Sequence, residues 1–185
     1  MRSARPAFQA LTVIAALVAA ASAHGAELKL DGKNTKIGFV GTKADGKHEG
    51  GFKTVAGTVS YDAADLTSTE LSVNIDANSL WSDDEKLTGH LKSPDFFDVR
   101  KFKDATFKST QVVKGEKVGE YAITGDFTLR GVTKSISFPA TIAVKDGALT
   151  LSSYFSINRA DYGMTFGAGK IDEEVAITAS IGAAK

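Results

Sequence analysis

Cysteine is missing altogether from the 185 residues. Disulfides, thiolate catalysis and cysteine-ligated metals are thereby excluded, and any folded domain of this chain is held by its core alone. An excess of charge is missing too, since 22 Lys and Arg balance 22 Asp and Glu, and no basic patch argues for nucleic acid. Histidine occurs three times, as His24, His48 and His90, with neither HxxxH nor HxH spacing, so no metal site is expected. No GxSxG element is present. Gly46, Gly50 and Gly51 are not followed by GK[ST], so they do not make a phosphate loop. Without a nucleophile–base constellation, catalysis and cofactor chemistry are not expected. Asp83, Asp84 and Glu85 suit the positive end of a helix better than a paired-carboxylate site. Asp172 to Glu174 read as a solvated turn, His48 beside Glu49 as a solvated loop, and Arg159 with Asp161 as a local ion pair.

A hydrophobic run long enough to span a membrane is absent as well. The longest, Leu11 to Ala21, is too short for a comfortable crossing. With Arg2 and Arg5 before it and Ala21-Ser22-Ala23 after it, residues 1–23 read as a cleaved signal peptide. The residue after the cut is His24 rather than cysteine, which argues against a lipoprotein, and the two arginines are not adjacent, which argues against a twin-arginine route. Removal of the segment leaves 20 basic and 22 acidic residues in a mature domain of residues 24–185. That domain is expected outside the cytoplasm, periplasmic or secreted, with no transmembrane anchor.

What is present is alternation. Leu71, Val73 and Ile75 alternate with Ser72, Asn74 and Asp76, and Ile136, Phe138, Ala140, Ile142 and Val144 with polar or small neighbours. These are half-buried strands. Asp146-Gly147 lies between two such runs and predicts a hairpin. Lys43 to Gly51 is polar and glycine-rich and reads as a loop. Gly57 marks a bulge in a strand over residues 52–61. No βαβ alternation, internal repeat or low-complexity linker appears. The pattern predicts one all-β domain, an antiparallel barrel or sandwich of about eight strands. Phe39, Phe52, Phe107, Phe127, Phe138 and Phe155 fall on the alternating faces. Such an interior either fills with side chains or holds one small ligand, and the residues alone favour a packed core.

One stretch breaks the alternation, residues 87–110, LTGHLKSPDFFDVRKFKDATFKST. A first helical piece covers residues 83–91, with Leu87 and Leu91 on one face. Ser93 then caps a second piece, with Pro94 at its first position and Phe96 and Phe97 inside it. Four large apolar groups outside a sheet must cover something apolar, so the stretch is expected to form a short helical lid inserted between two strands. His90 then hydrogen-bonds lid to barrel, and Trp81, the single tryptophan, precedes the lid and lines the mouth.

The HLKSPDFFDV core, the ATFKST strand, GDFTLRGVTKSISF at Gly125 to Phe138 and INRADYG at Ile157 to Gly163 occur in that order. Together they resemble the YceI-like family of extracytoplasmic, polyisoprenoid-binding proteins. The resemblance implies a lipocalin-like barrel in the periplasm of a Gram-negative cell. It implies an isoprenoid lipid as partner, such as a quinone or a polyprenyl phosphate, held in an apolar channel. It thereby reverses the preference for a packed core. The ligand-binding residues expected on that basis are Phe39, Trp81, Leu87, Leu91, Phe97, Phe107, Phe127, Ile136, Phe138 and Phe155. Nucleic acid is not expected as a partner, and a homodimer remains open. The alternative is an extracytoplasmic stress-response or structural protein whose packed barrel acts through a surface partner. This chain departs from the family pattern at Leu87-Thr88, where an Arg-Asp pair is common, at Ser135, where proline is common, and in the KADGKHEGG segment. Those departures fall on lid and rim and point to a different head group.

Overall fold

The computed structural model describes residues 25–182. The expected signal peptide, residues 1–23, lies outside the described residues, as does His24. Eleven strands form one antiparallel sheet that curls on itself into a half-barrel. In chain order they are β1 (Ala26–Leu30), β2 (Thr35–Lys43), β3 (Gly46–Phe52), β4 (Val55–Asp62), β5 (Asp65–Asp76), β6 (Leu80–Ser82), β7 (Asp104–Lys114), β8 (Glu120–Leu129), β9 (Val132–Lys145), β10 (Ala148–Asn158) and β11 (Glu174–Ile181). The order across the sheet is β1-β4-β5-β7-β8-β9-β10-β11-β2-β3-β6. One helix, α1 (Glu85–Leu91), lies between β6 and β7.

The alternation read from the sequence sets the inward face. On β5, Thr69, Leu71, Val73 and Ile75 are buried while Glu70, Ser72 and Asn74 are exposed. On β9, Phe138, Ala140 and Ile142 are buried while Ser137, Pro139, Thr141 and Ala143 are exposed. Successive side chains of a strand take opposite faces, so each run coats the concave side with hydrocarbon. The β9–β10 hairpin turns through Asp146 and Gly147, both at positive φ (52° and 77°). Two central residues with φ > 0 define the turn whose twist matches paired strands, and it favours glycine at the second place.

Three expectations are corrected. The count is eleven strands among the described residues rather than eight, because β1 stands apart from β2 and because β3 and the three-residue β6 extend one edge. Residues 46–52 pair along β2 and are a strand, not a loop. The composition misled there because Gly50 sits opposite Phe39 in the ladder, and a Cβ at Gly50 would lie 2.4 Å from the Phe39 ring. The glycine is the space the ring occupies. Gly57 pairs regularly with Val73, and the register shift on β4 lies between Ser60 and Asp62.

The two ends of the half-barrel differ. At the end away from the helix, Val59, Ile123, Ile142 and Leu149 are almost fully buried. There the Tyr61 hydroxyl donates to the Gly147 carbonyl (2.8 Å), tying β4 to the β9–β10 turn. At the other end the segment between β6 and β7 folds over the mouth. The Asp84 carboxylate caps α1 by accepting from the Leu87 N–H (2.7 Å). Beyond α1 the second helical piece is instead a hydrogen-bonded turn. The Ser93 carbonyl accepts from the Phe96 and Asp98 amides (3.1 and 2.9 Å), and the Phe97 amide returns to the Leu91 carbonyl (3.0 Å). These bonds close a compact lid but do not propagate a helix. Among the described residues, no helix is long and apolar enough to cross a membrane.

Candidate lipid-binding site

The concave face and the lid enclose a cavity of about 340 Å³. Nine of the ten residues expected to bind ligand line it: Phe39, Leu87, Leu91, Phe97, Phe107, Phe127, Ile136, Phe138 and Phe155. Trp81 does not. In β6, Leu80 points into the core, so by alternation Trp81 takes the outer face, 40% exposed, with its indole nitrogen against Gly51. It is corrected from mouth residue to exterior residue. Ile37 on β2 and Val175, Ile177 and Ala179 on β11 line the cavity without having been singled out.

Aromatic rings set the shape of the wall. Phe39, Phe52 and Phe97 form a triangle, with ring centroids 6.0, 6.2 and 5.7 Å apart, joining β2 and β3 to the lid. Phe138 and Phe155 stack with centroids 4.4 Å apart, and Phe107 meets Phe138 at 5.3 Å. Offset and tilted contacts of this kind add to the burial of the rings themselves. The cavity ends at Leu71, Leu151 and Ile181. Ala140 and Ile142 do not line it; both are buried in the packed region beyond the cavity.

Polar groups gather at the mouth. Arg159 is 3% exposed and directs its guanidinium to the backbone carbonyls of Asp172 (2.9 Å), Ile171 (3.0 Å) and Met164. It is therefore not paired with Asp161, which bridges to Lys134 (2.9 Å). The guanidinium fork closes the loop between β10 and β11, where carbonyls would otherwise lack donors. Asp172 accepts from the Thr42 hydroxyl (2.6 Å), linking that loop to β2. His90 bonds Asp95 within the lid (2.9 Å) and meets the rings of Phe96 and Phe166 edge-on, at 5.0 and 4.9 Å. Its hydrogen bond stays inside the lid, while its ring reaches the β10–β11 loop. Arg130 completes the junction by donating to the carbonyls of Gly163 (2.9 Å) and Pro94 (3.3 Å).

His48 is the polar residue that sequence reasoning set aside. It shares the inward face of β3 with Gly50 and Phe52 and lines the cavity. Its Nδ1 lies 2.9 Å from Asp83, just before α1. The Glu49 backbone N–H, and then His48, hold the Asp83 carboxyl below its usual range. Among the described residues no cluster of three metal-ligating side chains occurs.

Residues 28–183 match the YceI-like domain family. This chain belongs to the YceI-like family. A UPF0312 protein of Pseudomonas putida strain F1 is 39% identical over 139 residues, covering 72% of this chain and 71% of that protein. Among solved structures, BcnA of Burkholderia cenocepacia matches with a TM-score of 0.74 at 23% identity, over 80% of this chain and 94% of that one. A polyisoprenoid binding domain from Saccharophagus degradans, implicated in plant cell wall breakdown, matches with a TM-score of 0.66 at 18% identity, over 85% and 97%. At such identities the structural matches speak for the fold. Two of the four motifs of this YceI-like chain border the mouth. HLKSPDFFDV is the lid, and INRADYG carries Arg159 and the loop beneath it.

Proposed function

We propose that this YceI-like chain is exported to the periplasm, loses residues 1–23, and there sequesters or carries an isoprenoid lipid, a quinone or a polyprenyl chain, without covalent chemistry. The observation that supports the reading is the lidded cavity of about 340 Å³ whose wall is almost wholly hydrocarbon and aromatic. A folded chain ordinarily fills its interior to crystal-like density, so an apolar void of this size is costly unless a guest fills it. Burial of each CH₂ contributes about 0.8 kcal/mol before the costs of association, so a prenyl tail needs no charged anchor to bind. The same neighbour that shares the fold is a polyisoprenoid-binding domain, which agrees with this choice of guest.

Organic extraction of mature protein purified from the periplasmic fraction, followed by mass spectrometry, tests the proposal. A co-purifying prenyl lipid is expected. A protein that is empty as purified, and whose melting temperature ignores added long-chain quinone, would leave the packed-barrel alternative standing.

A further inference from the structure

We infer that His48 is the head-group residue of the cavity and that it selects an isoprenoid ending in a hydroxyl, a polyprenol or a reduced quinol. The inference rests on the lipid-binding reading and narrows it. The other polar side chains at the mouth are engaged. Thr42 donates to Asp172, Lys43 pairs with Asp45 (3.2 Å), and the nitrogens of Arg159 all meet carbonyls. His48 presents a ring nitrogen, Nε2, with no partner among the described residues, on a ring that faces the cavity.

The direction of the bond follows from the dyad. Asp83 takes the Glu49 N–H on Oδ2 (3.1 Å) and faces His48 with Oδ1 (2.9 Å). An ionised carboxylate only accepts, so Nδ1 carries a ring proton, and the uncharged form of the imidazole then offers a bare lone pair at Nε2. A lone pair accepts from a hydroxyl and finds no donor in a quinone carbonyl or an ether. The same arrangement joins β3 to Asp83, two residues before α1, so the anchor point and the start of the lid are held by one group of contacts.

The test uses farnesol and farnesyl methyl ether, which share a tail and differ by the donor hydrogen, titrated calorimetrically into the mature protein. The ratio of the two affinities is the readout. A neutral hydrogen bond predicts that the ratio falls about five-fold towards the ether in His48→Phe, with the ether's own affinity nearly unchanged. Asp83→Asn should lower the ratio as well, because an amide can donate to Nδ1 and move the ring proton to Nε2. It serves as the second variant if His48→Phe folds poorly. A ratio that survives both substitutions overturns the assignment and leaves the cavity function intact. If neither compound binds the wild type, the lipid-binding reading fails and this inference with it.

Discussion

At the residue scale, Tyr162 stands out because its hydroxyl is the buried side-chain polar atom with no hydrogen-bond partner among the described residues. The residue is 2% exposed, with its ring packed edge-on against Phe127 (5.4 Å). Burial, and secondly Asp161, raises its phenol above the usual range. A buried hydroxyl left unpaired pays desolvation with nothing in return. Tyr162→Phe is therefore expected to raise stability by about 1 kcal/mol in denaturant unfolding. A loss of stability instead would mean that the hydroxyl has a partner, such as a buried water. Single side chains were the least legible level in the sequence. Arg159 and Asp161 look like a pair when written side by side, yet the short 3₁₀ turn over Arg159–Tyr162 sends one into the loop and the other to Lys134. His48 looked like a solvated loop residue because nothing near it reveals that Asp83, 35 positions on, would arrive beside it. Side-chain partners across such separations are a product of topology, which local pattern does not carry.

At the element scale, the lid was legible in its content and partly in its form. Leu87, Leu91, Phe96 and Phe97 all face the cavity, as their apolar bulk outside a sheet required. The turn after Ser93 was misread as helix because a capping serine before proline begins both structures. The two phenylalanines differ in packing. Phe96 touches the cavity but is 6% exposed and packs with His90 and Phe166, whereas Phe97 is half-buried and borders the void beside Phe39 and Phe52. Phe96→Ala should cost about 3–4 kcal/mol, since truncation of a packed ring leaves a new hole. Phe97→Ala should cost clearly less, because part of its surface already faces empty space. Thermal melts of the two variants check the order. Equal losses would show that Phe97 belongs to the packed lid rather than to the cavity wall.

At the scale of the whole molecule, the all-β antiparallel class and the inward face of most strands could be read from alternation, because a period of two is dictated by pleat geometry. The choice between a filled and a hollow interior could not. The same phenylalanines serve either outcome, and what decides is how far opposite walls stand apart. Both outcomes in fact coexist along the axis: a void beneath the lid and a solid plug beyond it. Ala140 lies in the plug, 5% exposed. Ala140→Leu should overpack that region and destabilise the fold by about 1–3 kcal/mol while leaving lipid uptake unchanged. Undiminished stability would place spare volume there and extend the cavity. The plug also turns the barrel from a tunnel into a cul-de-sac. On the proposed lipid-binding reading, a guest would thread in tail first and leave head first past the lid. Exchange with a membrane or another carrier is then timed by how often that single door swings, so variants that loosen the Arg130–Pro94 bond should speed unloading without changing how much lipid the vessel holds.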